Sequence, residues 1–258
     1  MNTEPSADAG PSKGVRIVSW NCNMALQRKA PRLLALHPDV AVVQECASKA
    51  ELDGMVRVAW TGRLASKGLA VFARPDLGAT LAQDIWDPTR EWFLPVRVPV
   101  LGLDLLACWA MNHRGLEDRP KKGRTGAAVD HYRDFLSSGR AIILGDLNDN
   151  VTWDTKLWPV FANLTTQLAA MDLVSVYHAR TGESLGAESR GSLFFYRDAQ
   201  RPYLIDHVFV PNAWLGRVDG FQVGTAAQWL DVSDHAPVIL DLSGHSHSTS
   251  PTPGRSRS

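Results

Sequence analysis

Short runs of β-branched and aliphatic residues recur along the chain, bounded by turn-forming residues and too short for helices. Ile17-Val18 within the strand Val15–Trp20, Val40-Ala41-Val42-Val43, Ala141-Ile142-Ile143-Leu144 and Tyr203-Leu204-Ile205 read as buried strands, and Gly68–Ala73 and Leu103–Trp109 read as further strands. Leu173–Tyr177, Phe194–Tyr196, Leu204–Val210 and Val238–Leu242 complete the strand list. Helical spacing separates some of these runs. Lys29–Leu36 precedes Pro38-Asp39, Ala127–Leu136 aligns Val129, Tyr132, Phe135 and Leu136 and ends near Gly139, and Lys156–Met171 forms a third helix. These strands are too many for one sheet, and the helices do not strictly alternate with them. The pattern predicts an α/β (α+β) four-layer sandwich, two packed mixed β-sheets flanked by helices. No linker or internal repeat interrupts it, so residues 14–243 form one domain. Residues 1–13 and 244–258 are low-complexity stretches that cannot bury a core and are expected as disordered tails.

Polar residues stand out at the ends of these apolar runs. Ser19-Trp20-Asn21, Gln44-Glu45, Gly145-Asp146-Leu147-Asn148, Asp206-His207 and Ser233-Asp234-His235 lie far apart in sequence. A rigid strand fixes a terminal side chain and the following loop exposes it, which is where α/β enzymes place chemistry. Carboxylate, carboxamide and imidazole donors suit a hard divalent cation beside a phosphate. Asp146 and Asn148, two positions apart, share a face if the strand continues past Asp146. Taken alone, Gly-Asp and Asn-Asp also make turns, and Glu45 and Asn21 also suit solvated strand ends. Asp206 inside a hydrophobic strand is costly unless paired, and the imidazole of His235 is the partner it would orient.

Composition narrows the classes. With 27 basic and 27 acidic residues the chain is formally neutral, which argues against coating nucleic acid by charge alone but not against a local contact. No apolar run approaches the ~20 residues of a membrane span. Met1–Lys13 lacks the apolar centre of a secretory signal, so the expected location is cytoplasmic. Cys22, Cys46 and Cys108 make no complete disulfide framework, and Cys22 and Cys46 are expected to face the core. The strongest basic run is Arg114, Arg119, Lys121, Lys122 and Arg124, set against Glu117 and Asp118. It either follows a nucleic-acid backbone or is a solvated loop.

The order of these motifs resembles the endonuclease/exonuclease/phosphatase superfamily, which includes exonuclease III-like repair nucleases and deoxyribonuclease I. The likeness spans roughly residues 14–243. It implies Glu45 as metal ligand, aided by Asn21 and Asp234, with Mg²⁺ or Mn²⁺ as cofactor. Trp109-Ala110-Met111-Asn112 is similar to the Tyr-x-x-Asn segment of the repair nucleases, so Asn112 would hold a phosphate oxygen, with Trp109 and Arg114 at the substrate. Asp146 and Asn148 match the central Asp-x-Asn, in which the acid activates water. Asp206 and His235 match the family's strand acid and its closing Ser-Asp-His. Phe194-Phe195-Tyr196 is similar to an aromatic cluster near the substrate sugar, which assigns Phe195 to substrate binding. Trp109 replaces a Tyr and Asn23 replaces a second metal-binding Asp. The implied activity is metal-dependent phosphodiester hydrolysis of DNA or RNA, with no obligate protein partner evident. Alternatives are a phosphoesterase acting on a phospholipid head group or inositol phosphate and, more remotely, a catalytically silent binding module.

Overall fold

The computed structural model describes residues 14–110 and 123–244. Fourteen strands run in chain order: β1 Val15–Asn21, β2 Val40–Cys46, β3 Val56–Leu64, β4 Lys67–Ala73, β5 Thr80–Leu81, β6 Phe93–Val98 and β7 Leu103–Trp109. They continue as β8 Ala141–Asp146, β9 Leu173–Ser175, β10 Leu193–Phe194, β11 Pro202–Tyr203, β12 Asp206–Pro211, β13 Val218–Val223 and β14 Val238–Leu242. The helices are α1 Leu26–Leu34, α2 Gly123–His131, α3 Arg133–Leu136, α4 Val160–Ala169, α5 Val176–Thr181 and α6 Ala226–Trp229. One six-stranded sheet has the order β13-β14-β1-β2-β4-β3, and the other β5-β6-β7-β8-β12-β9. Each contains one parallel pair, β1 with β2 and β7 with β8. The expected α/β sandwich of two mixed sheets with flanking helices is therefore present.

Strand alternation sorts the core into layers. Ile17, Val40, Val42, Leu69 and Val71 join the large cluster that includes Leu105, Ile143 and Val208 from the second sheet. Their neighbours Val18, Ala41, Val43, Ala70 and Phe72 point the other way, into a second cluster with Leu26 and Leu33 of α1 and Trp229 of α6. Leu164 and Leu168 of α4 and Leu136 of α3 are buried with the second sheet.

Several expected elements shift. The strand read at Leu173–Tyr177 stops at Ser175 and turns into α5, where the Tyr177 hydroxyl donates to Glu183 at 2.6 Å. The strand read at Phe194–Tyr196 ends at Phe194 because Tyr196 and Arg197 adopt φ near 57°. The single helix over Ala127–Leu136 is broken at Tyr132 into α2 and α3. The helix read over Lys156–Met171 begins only at Val160, just after Pro159. The basic run 114–122 and, apart from Gly14, Ser243 and Gly244, the chain ends lie outside the described residues.

All three cysteines are free and buried, as expected for Cys22 and Cys46. Burial pushes the Cys22 thiol up to about 12 and raises Cys46 and Cys108 as well, so they are poor nucleophiles and metal ligands.

Candidate active site

The polar strand ends converge where the two sheets face each other. β1 and β2 run parallel, so Asn21 and Gln44 are paired at their common C-terminal ends. β8 ends at Asp146, which is paired directly with Asp206 at the start of antiparallel β12. Across the seam, Asn21 Nδ2 donates to Asp146 Oδ2 at 3.0 Å. Gln44 Nε2 also crosses, donating to the Cys108 carbonyl at 3.1 Å while bonding Ser19 Oγ at 3.0 Å.

The Ser-Asp-His loop before β14 is laced onto β1. Ser233 Oγ donates to the Asn21 carbonyl at 2.8 Å and accepts the His235 amide at 3.0 Å. The Trp20 indole donates to the His235 carbonyl at 3.0 Å. These contacts fix His235 so that its Nδ1 lies 2.8 Å from Asp206 Oδ2. Ser192 supports the acid from behind: its hydroxyl accepts the amides of Ile205 and Asp206 at 3.1 and 2.9 Å. Sequence reading missed Ser192, since a serine in a polar loop carries no distinguishing signal.

The electrostatics follow from burial. Asp146 and Asp206 are both fully buried, and two carboxylates facing each other across a strand pair repel. Desolvation, then the Asp206 charge, raises the Asp146 pKa to about 7, against the opposing pull of His235, Asn21 and the Asn148 amide. Burial acts to lower His235, but the charge and hydrogen bond of Asp206, followed by the Asp146 and Asp234 charges, outweigh it. The imidazolium is held up to about 10. His207, the next residue on β12, points away and packs on Phe161, and burial drives its pKa down to about 4.

Asp146, Asp206 and His235 bring ligand atoms within 4.8 Å of one another, and among the described residues they are the only group of three or more such side chains. Asp206 Oδ1 is buried without a hydrogen-bond partner. Two buried carboxylates beside one imidazolium leave an anionic pocket with a spare oxygen, a donor set that suits a hard divalent cation. Glu45 is outside that group. It is the extra residue of a β-bulge between Gln44 and Cys46, with φ 58°, which turns it off the ladder and lets its carboxylate meet Lys67 Nζ at 3.1 Å. Asp234 accepts from Asn23 Nδ2 at 2.8 Å, so Asn23 occupies itself with an acid of the closing loop. Lys67 was not foreseen. It opens β4, and only the β2–β4 pairing sets it beside Glu45.

Asn148 is not on an extended strand. Its φ is 52°, and its amide donates to Asp146 Oδ1 at 2.9 Å, so the segment Asp146–Asn148 is a turn that grips the carboxylate. Trp109 is corrected from a substrate contact to a core residue. It is 1% exposed, paired with Asp146 in the β7–β8 register and packed edge-on against Trp92, so it offers no free face. Phe195 is part-exposed in a cleft that also includes Asn148. Asn112 and Arg114 lie outside the described residues.

Solved structures with this architecture include a 3'-5' exonuclease (NExo) from Neisseria meningitidis, 20% identical, covering 88% of this chain and 99% of that chain with a TM-score of 0.66. The AP endonuclease LMAP from Leishmania major is 15% identical, covering 95% and 92% with a TM-score of 0.68. TDP2 from Caenorhabditis elegans is 13% identical, covering 93% and 77% with a TM-score of 0.58. No curated protein matches the sequence. The family model described as "Endonuclease/Exonuclease/phosphatase family" matches residues 18–235, a span that takes in every strand-end motif from Asn21 to His235, and the chain belongs to that family.

Proposed function

We propose that the chain is a Mg²⁺- or Mn²⁺-dependent phosphodiesterase acting on nucleic acid. The observation that carries this reading is the buried network Asn21–Asp146 and Asp206–His235, which joins a carboxylate of raised pKa to an imidazolium at the seam of the two sheets. The residues that would hold a divalent cation are Glu45, with Asp234 and with Asn21, which is bonded to Asp146. When bound, such a cation supplies charge neutralisation at the phosphate and its leaving oxygen. Asp146 accepts the proton of the attacking water, and its hydrogen bonds from Asn21 and Asn148 fix its orientation. His235, kept protonated by Asp206, presents its ring to the negative charge that develops on the phosphoryl oxygens. Structure neighbours described as nucleases support the substrate class.

Turnover of a chromogenic phosphodiester with Mg²⁺ and Mn²⁺, controlled by EDTA, tests the enzyme. Plasmid nicking measured beside release from lipid and sugar phosphates tests the substrate. Activity confined to the non-nucleic panel would overturn the nucleic-acid assignment.

Two variants probe the supporting groups. Asp206→Asn leaves the imidazole oriented but no longer held charged, so turnover is expected to fall by roughly 10- to 100-fold. Metal affinity should fall less than in Glu45→Ala, and unchanged turnover would remove Asp206 from the mechanism. Lys67 competes with a cation for the Glu45 carboxylate. A part-exposed ion pair is worth up to about 1 kcal/mol, so Lys67→Met should tighten Mn²⁺ binding by roughly 2- to 5-fold. Titration followed by the electron paramagnetic resonance of free Mn²⁺ would read this directly, and unaltered affinity would place the cation away from Glu45.

A further inference from the structure

Three cations stand near the acids of the closing loop and the β2 bulge, and they differ in what they hold. Lys29 lies within electrostatic reach of Glu45, Asp234 and Arg197, but its ammonium is committed to backbone, donating to the Cys22 and Asn23 carbonyls at 2.6 and 3.0 Å. Arg197 is likewise engaged, donating to the Leu230 carbonyl at 2.9 Å. Lys67 instead pairs with a carboxylate that a divalent cation would take, its Nζ lying 3.1 Å from Glu45 Oε1.

The backbone beneath Lys67 is fixed while its side chain is not. The Trp60 indole covers Gly68 and donates to the Cys46 carbonyl at 3.0 Å, and a side chain at Gly68 would run into that ring and the Thr61 carbonyl. This clamps the start of β4 against the bulge that carries Glu45. The four-carbon stem of Lys67 is 33% exposed and can rotate about that anchor. Its ammonium also lies 5.5 Å from the centre of the Trp109 ring, and Trp109 is the register partner of Asp146. Lys67 therefore stands between the carboxylate that would hold a cation and the strand end that would activate water.

Charge decides what such a lysine can do. Asp146, Asp206, Glu45 and Asp234 supply four carboxylates against the one imidazolium of His235, a centre that repels a phosphate until positive charge is added. Paired with Glu45, the Lys67 ammonium is neutralised locally. A divalent cation on that carboxylate repels the ammonium and deprives it of its anion. A substrate phosphate beside Asp146 is the anion that takes its place.

Resting on the cation and phosphodiester reading above, we propose that Lys67 is a phosphate-binding residue stored on Glu45 and released to the substrate when a divalent cation takes that carboxylate. Lys67 thereby makes cation and phosphate binding cooperative, each strengthening the other by the same factor in either order. Without the cation the ammonium stays on Glu45, and phosphate binding gains nothing from it.

The test uses the full chain, Mn²⁺, and a dithymidine phosphorothioate that resists hydrolysis. Mn²⁺ affinity is read from the electron paramagnetic resonance of the free ion with and without saturating diester, and the ratio of the two is the coupling factor. In Lys67→Met the affinity for Mn²⁺ alone should tighten, while the coupling factor should fall by roughly 5- to 100-fold, the loss of one hydrogen bond to a charged group. Lys67→Arg, which keeps the charge, should retain most of the coupling. Calorimetry in EDTA should find the same weak diester binding in the parent and in Lys67→Met. A purely structural lysine would weaken both ligands together and lower the melting temperature, so opposite changes in the two affinities separate the roles. Equal coupling factors in the parent and Lys67→Met overturn the proposal and leave the phosphodiester reading in place. A loss of diester affinity as large in EDTA as in Mn²⁺ does the same, since the lysine would then hold phosphate without being stored. A parent chain that binds Mn²⁺ but no diester overturns that reading, and the proposal with it.

Discussion

Asp146→Asn is expected to lower turnover by about 10²- to 10⁴-fold, the loss typical when a positioned general base is removed. The substitution is nearly isosteric. An asparagine oxygen can still accept from the Asn21 carboxamide or from the Asn148 amide, so the fall reports the missing base rather than a lost scaffold. The pH profile supplies a second signature. Asp146 must be ionised to accept a proton, so activity rises as pH passes its pKa of about 7, and His235 loses its charge near 10. The expected profile is a bell between those values, its acid limb moving lower as bound Mg²⁺ draws the carboxylate pKa down. Residual activity of the variant should lack the acid limb. An acid whose folded pKa is raised is penalised wherever the unfolded chain ionises first. The native state therefore loses stability as pH rises from about 4 through 7. In EDTA at pH 8, Asp146→Asn should accordingly be more stable than the parent, by an amount of order a few kcal/mol. A variant that keeps full activity would exclude Asp146 as the base. One that melts lower than the parent would exclude the buried-charge penalty.

Gly145→Ala is expected to be the most damaging single-methyl change in the described chain. Gly145 has φ 142°, and a Cβ built there would lie 2.0 Å from the Cys108 carbonyl oxygen of the neighbouring strand β7. Both strands are interior to the sheet, and the obstructing atom is backbone, so no side chain can swing aside to relieve the clash. Strain of this kind together with the conformational penalty should cost about 4 kcal/mol or more. For a chain of this size that is a fall in Tm of the order of 10 °C. Differential scanning calorimetry would measure it, and a Tm within about 2 °C of the parent would show that β7 and β8 can separate locally. Since Asp146 is the next residue, activity should fall further than the folded fraction alone explains.

Much of this site was legible because its residues interrupt apolar runs that have one physical explanation. Strands β1, β2, β4, β7, β8 and β14 are largely buried on both faces, so their sequences are mostly apolar, and the polar ends of β1, β2 and β8 stand out against them. The strands missed in sequence obey other constraints. β3 and β13 are edge strands with half-exposed patterns and register shifts, and β6 carries Pro95. Leu173–Tyr177 misled because β-branched and aromatic residues suit a strand locally. The chain nonetheless turns at Ser175, and α5 packs Tyr177 against Phe221. The shared face expected of Asp146 and Asn148 assumed a continuing strand, whereas a turn holds Asn148 against Asp146 through its backbone amide. Lys67 was invisible because a lysine beginning a strand gains meaning only from neighbours that the fold delivers.

No single sheet owns the chemistry of this enzyme. Asn21 and the His235 loop hang from one sheet, while Asp146 and Asp206 project from the other, and the 3.0 Å bond between Asn21 and Asp146 is one of the bonds where the halves meet. Sliding one sheet over the other by a single strand residue, about 3.3 Å, would exceed the length of that bond. On the proposed assignment, turnover is thus a gauge of alignment between two layers that both contribute reacting groups. Substitutions in the apolar filling between them, far from any phosphate, are therefore expected to reach the reaction through that alignment.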